Sequence, residues 1–305
     1  MKTLMPVYRR TTAGFTLVEL LMTLGLSGIV SGMIMYLFFS QQESYRTQIR
    51  MASLQQNLRT AMNILSADIR MAGYCTSLDH AVYDGYLDWD PRQKGAEAFS
   101  PLIHGIDNIV GVGKYRENTD VIMIVKAGED GGILEGSECA LANQHILFIH
   151  DLDLDGDGDE DFAMGGREFG VVMKSDFSSS QLFKMIQKGP PAVVADPFHK
   201  NYIEGDVIKR ADIIIYRIDD ANASFSQSVL ERKNAGNGNR FQVVAEGITD
   251  LQFRYFLSNG AVVEDPDEAE EELCAVEVFL AGEVETGRGG KQTRSLVTVL
   301  KIRNI

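Results

Sequence analysis

Residues 14–40 read GFTLVELLMTLGLSGIVSGMIMYLFFS, and this stretch decides the architecture. Across residues 15–39 the one charged side chain is Glu19. At ~1.5 Å per residue a helix of this length spans roughly 37 Å, enough to cross a bilayer core. Lys2, Arg9 and Arg10 precede the run, whereas residues 41–44 follow it with no positive cluster. The positive-inside bias therefore places the N-terminus in the cytoplasm and everything after Ser40 on the far side of a single-pass anchor. An ordinary secretory signal has a shorter apolar stretch followed by a small-x-small cleavage site. Here the small residue, Gly14, comes before the apolar run, so a cut there removes the basic leader and leaves the helix in place. Gly25, Gly28 and Gly32 lie in the same run, with Gly28 and Gly32 forming a GxxxG step. Close helix packing and local melting are both open readings of these glycines. No proline stands between Pro6 and Pro91, so any melting is left to glycine alone.

The helical pattern continues beyond Ser40. Leu54, Leu58, Ala61, Leu65, Ile69 and Ala72 recur at steps of three and four, the stripe of an amphipathic helix. Arg46, Arg50, Gln55, Arg59, Asn63 and Arg70 fall off that stripe. Gly73 is a natural stop, so one helix is expected from Phe15 to about Ala72. It is apolar on all sides in its first half and needs a covering domain along one face of its second half.

From residue 74 onward the periodicity switches to two, with runs bounded by Gly, Asp and Asn. Expected strands cover 121–126, 146–149, 169–174, 181–187, 213–218, 228–232, 241–245, 248–257, 275–285 and 295–303. The fold class is therefore α+β: a long N-terminal helical spine, transmembrane then amphipathic, followed by a mainly antiparallel β-sheet globular domain. The organisation is a leader at 1–14, a transmembrane half-helix at 15–40, an amphipathic half-helix at 41–73 and a β-rich domain at 74–305.

The net charge of −14 becomes −17 once the three basic residues before Gly14 are removed. So acidic a body repels phosphate backbones, and nucleic acid is not an expected partner. The chain holds three cysteines, Cys75, Cys139 and Cys274, without a CxxC pair, which excludes a zinc ribbon or thioredoxin-type site. In an oxidising compartment one disulfide and one thiol is the simplest arithmetic, with Cys75–Cys139 the preferred pair. Three reduced, buried thiols are the alternative. The chain has no GxSxG, HExxH or P-loop, and its five histidines lack ligand spacing, so no enzymatic activity is expected.

Residues 151–161 read DLDLDGDGDED, directly after an expected strand. Asp151, Asp153, Asp155, Asp157, Asp159 and Asp161 occupy alternate positions, with Gly156 and Gly158 permitting a tight turn. Calcium takes six to eight oxygens, and carboxylates at positions 1, 3 and 5 with glycine at 6 suit it. One register uses Asp151, Asp153, Asp155 and Asp159; the other uses Asp153, Asp155, Asp157 and Asp161. The second resembles the short calcium loops of integrin-like repeats. Phe162 or Met164 falls where an EF-hand needs its glutamate, so the loop is not an EF-hand. A structural Ca²⁺ is the expectation, and a solvated acidic hairpin the alternative. The second acidic run, 264–272, lacks glycine and alternation and reads as an exposed, solvated loop.

The order Gly14-Phe15-Thr16-Leu17-Val18-Glu19-Leu20 closely resembles the type IV prepilin signature. The resemblance implies cleavage between Gly14 and Phe15 by prepilin peptidase, N-methylation of Phe15, and an assembly role for Glu19. A carboxylate near a helix end in hydrocarbon costs up to about 2–3 kcal/mol. The new ammonium on Phe15 offsets this, on the same chain or on a neighbour in a filament; the resemblance implies the neighbour. The helix end DIRMAGY at 68–74 and the ladder over 211–257 resemble PilW-type minor pilins and the GspJ pseudopilins. The resemblance implies a minor pilin near a pilus tip that helps initiate assembly. Its implied partners are minor and major pilins, the inner-membrane assembly platform and a PilY-type tip adhesin. It would reside in the inner membrane with its domain in the periplasm, then in the filament at the cell surface. The rival readings are a GspJ-like pseudopilin of a type II secretion system and a calcium-dependent adhesive module on a pilin stem.

Overall fold

The computed structural model describes residues 14–74, 78–82, 98–99, 103–110, 115–134, 140–147, 149–151, 168–187, 192–195, 197–220, 227–235, 240–266, 273–286 and 290–302. Helix α1 (Leu17–Arg70) runs unbroken for 54 residues, through Gly25, Gly28 and Gly32. At 1.5 Å per residue it is about 81 Å long. It is long and apolar enough to cross a membrane. The helix ends slightly before the expected Ala72. Met71 is the C-cap, with its N–H on the Ala67 and Asp68 carbonyls. Gly73 takes φ 72° beyond the cap and donates its N–H to the Val125 carbonyl at 3.0 Å. The glycine therefore turns the chain onto the sheet.

Among the described residues sixteen strands follow. They are β1 (Leu78–Val82), β2 (Ala98–Phe99), β3 (Ile103–Ile106), β4 (Val121–Leu134), β5 (Ile146–Leu147), β6 (Ile149–Asp151), β7 (Phe169–Met173) and β8 (Ser180–Gln187). Then come β9 (Ala192–Val194), β10 (Val207–Asp219), β11 (Val229–Asn234), β12 (Gln242–Glu246), β13 (Ile248–Leu257), β14 (Val262–Val263), β15 (Leu273–Glu285) and β16 (Lys291–Lys301). A twelve-stranded sheet is organised around β10, which pairs with β4, β7 and β11. A four-stranded sheet has the order β14-β13-β15-β16. Among these strands pairing is antiparallel except between β1 and β8. Every expected strand is present. The expected run 146–149 is split into β5 and β6, which pair with different strands, β9 and β4. Strands β1, β2, β3, β9 and β14 are additional; most are too short to display a period.

The predicted stripe is the buried one. Leu54, Leu58, Ala61, Leu65, Ile69 and Ala72 are all at most 2% exposed, in one core with Leu251, Phe253, Val276, Val278, Leu280 and Leu300. The first half of α1 instead exposes its apolar side chains all round, from Leu17 to Phe39. A second core on the other side of β4 and β10 joins Val121, Met123 and Val125 to Val171, Leu182 and Ile213. Asp120 ties the two sheets together: its carboxylate accepts the Asn108 N–H at 3.0 Å and the Phe253 N–H at 2.6 Å. Burial pushes this carboxyl up to about 7, against the pull of those two donors. A raised folded-state value means that its ionisation opposes folding as pH rises from about 4 to about 7.

Helix and sheet meet closely at Gly282. A Cβ there would press on the Gly247 carbonyl oxygen and lie 2.6 Å from Leu54 Cδ1. Gly247 is held on both sides, its N–H on the Ser228 carbonyl at 2.9 Å and its carbonyl accepting the Glu283 N–H at 3.1 Å. Gly282→Ala is expected to destabilise the domain by about 1–3 kcal/mol, the usual cost of overpacking. Urea unfolding of the full chain in detergent measures it; an unchanged midpoint would show that the helix shifts freely.

The acidic run at 264–272 departs from the solvated-loop expectation at its start. Glu264 is exposed, but Pro266 is buried against β3, where a Cβ on Gly105 would lie 2.7 Å from its Cδ. Proline carries no charge and closes the edge of the core. Residues 267–272 lie outside the described residues.

Candidate functional site

Among the described residues nothing outside its chain neighbours lies within 4 Å of where a Cβ on Gly14 would stand, and Phe15 is 87% exposed. Thr16 is the N-cap, with φ −78° and ψ 150°. Its hydroxyl accepts the Glu19 N–H at 3.2 Å, and the Glu19 carboxylate accepts the Thr16 N–H at 2.9 Å. The Thr16 hydroxyl also donates to the same carboxylate oxygen at 2.9 Å. This capping box satisfies two otherwise unpaired donors and holds the Glu19 carboxylate at the helix terminus. A cut after Gly14 would put a new ammonium on Phe15, one residue before the cap. The carboxylate is thus already aimed at the end of the chain where that charge appears. Thr16 thus joins Gly14, Phe15 and Glu19 at this site, and its spacing T-x-x-E is itself a capping signature.

A second constellation fastens the helix to the domain at its other end. Asp68 is buried, and its carboxylate accepts from Tyr216 Oη at 2.6 Å, Arg232 Nε at 2.8 Å and Lys126 Nζ at 3.3 Å. Burial and the neighbouring Asp68 push the Tyr216 phenol well above its ordinary range, so it remains a donor. Burial works against the Arg232 charge, but Asp68 outweighs it and raises the guanidinium further. The sequence shows Asp68 only as part of the helix end; its partners lie on β4, β10 and β11.

The other expected sites are not assembled in the described residues. Asp151 ends β6, whose backbone pairs it with Gly132 of β4. Asp153, Asp155, Asp157, Asp159 and Asp161 lie outside the described residues, as do Cys75 and Cys139. Cys274, on β15, is exposed, which corrects the alternative of three buried thiols: it takes the outward position next to buried Leu273.

Residues 9–35 match the family described as the prokaryotic N-terminal methylation motif. The chain carries the methylation motif of pilin-type proteins. The motif implies processing by prepilin peptidase and assembly with other pilins, and it covers Arg9 and Arg10, the capping box and most of the bare half of α1. Neither a curated protein nor a solved structure matches the chain.

Proposed function

We propose that the chain is a minor pilin of PilW type, cleaved at Gly14, N-methylated on Phe15 and incorporated near the tip of a pilus, where it helps initiate assembly. The carrying observation is the methylation motif on one unbroken helix, bare over its first half and docked over its second. A bare apolar half-helix suits lipid first and neighbouring helices later. Prepilin peptidase would act first; minor and major pilins, the inner-membrane assembly platform and a PilY-type adhesin would be the later partners. A GspJ-like pseudopilin is the second reading, since the ladder over β10, β11 and β13 suits both. Recovery from sheared pili or from a secretion pseudopilus separates them.

The mature chain is expected to begin at Phe15 with a methylated amine, as N-terminal mass spectrometry of membrane-extracted protein would read. Gly14→Phe should block processing completely. Among the described residues nothing crowds Gly14, so the block is expected at the peptidase and not in folding. An intact Met1 terminus in the unaltered protein, or a cut beyond Ser40, would defeat the pilin reading.

The aspartates from Asp151 to Asp161 are proposed to hold a structural Ca²⁺. Six alternate carboxylates repel one another without a cation, and a ligand that binds the native state stabilises it by mass action. At a hundredfold excess over the dissociation constant the gain is about 2.7 kcal/mol, a rise in melting temperature of several degrees. Asp153→Ala with Asp155→Ala should abolish it, since both belong to both registers. Calorimetry showing no heat at millimolar calcium, with chelator-independent melting, would leave the loop a solvated turn.

A further inference from the structure

Charge is segregated along the chain. Residues 74–305 hold 40 acidic against 22 basic side chains, a net −18, whereas α1 beyond Ser40 carries Arg46, Arg50, Arg59 and Arg70 against Glu43 and Asp68. Asp68 is buried beneath the helix, so among the described residues of this half Glu43 is the one acid reaching solvent. The four arginines are exposed, Arg50 also donating to the Glu285 carbonyl of its own chain at 3.1 Å, and they border a helix back that shows Tyr45, Ile49 and Ile64, at 64%, 51% and 38% exposure.

The opposite side of the domain has the complementary make-up. The four-stranded sheet turns Leu251, Phe253, Val276, Val278 and Leu300 toward α1 and the alternate residues away from it. That outward face exposes Val262, Val297 and Val299 by half or more and half-buries Phe256 and Phe279. Beside these lies a groove of about 390 Å³ that carries Asp107, Glu264 and Glu277. Arg254, paired with Glu277 at 3.5 Å, Lys291, paired with Glu283 at 2.9 Å, and Lys301 are basic groups on the same face.

We infer that the arginine-bordered back of α1 docks on the outward, acid-flanked face of the four-stranded sheet of a second copy of this chain. Both surfaces join exposed apolar side chains to charge, and the charges are opposite in sign. Because they lie on opposite sides of one sheet, the contact is heterologous: each copy offers one surface and leaves the other free. Such contacts extend head to tail unless the rotation happens to close a ring. The inference builds on the filament-subunit reading but is tested apart from it.

The test uses the full chain in detergent micelles, with p-benzoylphenylalanine in place of Ile49. Irradiation should join it to peptides of β13, β15 or β16 of another copy. Arg46→Glu with Arg59→Glu should weaken self-association about tenfold, and about 1 M salt, where the Debye length is near 3 Å, should do the same. Glu264→Lys, on the other surface, should weaken it too, while Arg46→Lys retains it. Both altered surfaces are exposed, and an unchanged melting temperature would exclude misfolding. Adducts confined to other helices, adducts that survive charge reversal, or a monomer at low salt would overturn the contact. Incorporation into sheared filaments is a separate readout, so a true filament subunit that does not self-dock in this way would be recognised.

Discussion

Glu19→Ala is expected to be cleaved and inserted normally yet to fall at least about tenfold in sheared filaments. Removing the acid makes the helix more apolar, so anchoring gains up to about 2–3 kcal/mol. The proposed loss is the pairing with a neighbouring Phe15 ammonium, which in hydrocarbon would be left unsatisfied; about 1.4 kcal/mol already means tenfold. The capping box supplies the control. Glu19→Gln keeps an acceptor for the Thr16 N–H, which lies 2.9 Å from the carboxylate, but removes the charge. If Gln is lost from filaments as Ala is, the charge pair is the cause. If Gln restores incorporation, the cap is what matters, and normal recovery of both variants would end the assembly role.

Asp68→Ala should destabilise the domain by about 3–5 kcal/mol, the usual cost of breaking a buried ion pair from one side. A small domain has only about 5–15 kcal/mol in total. The substitution leaves Arg232 and the Tyr216 hydroxyl without the acceptor they share, while Lys126 keeps Asp212 at 4.0 Å. Asp68→Asn should cost less than Ala, because an amide oxygen in place of Oδ2 still accepts from Tyr216 and Arg232 and only the charge is lost. Urea unfolding in detergent compares them, with loss of protection expected first in residues 60–72. A midpoint within experimental error of the parent would mean that apolar packing alone holds the helix down.

The helix and its buried face are legible in the sequence because 3.6-residue periodicity is a local property: Leu54 through Ile69 announce their face without any knowledge of what covers it. The long strands are legible for the same reason at period two. Strands such as β3, IHGI, and β9, AVV, are not, since three or four residues are too few to display a period. The methylation motif is visible around residues 14–20, yet the reciprocal bonds between Thr16 and Glu19 emerge only with the helix geometry, although their spacing is in plain view. Asp68 cannot be paired in advance. Its partners stand 58 residues away at Lys126, 148 at Tyr216 and 164 at Arg232, and one acid on an apolar stripe does not say which cation it will meet.

The face of α1 around Leu54 and Leu58 is covered by strands that include β16, and Leu300 and Ile302 belong to that same core. The first helix to be made is thus completed by residues made far later. At a synthesis rate of about 5–20 residues per second, the roughly 240 residues between them take on the order of 10–50 s to appear. During that interval the apolar stripe has no permanent cover, and contacts of such sequence separation are slow to form even afterwards. Anchoring of the neighbouring apolar half-helix in lipid would keep the waiting segment at one place and separate from its copies. The order of synthesis therefore makes the bilayer a holding place as well as an anchor, with β16 as the piece that releases the stem from waiting.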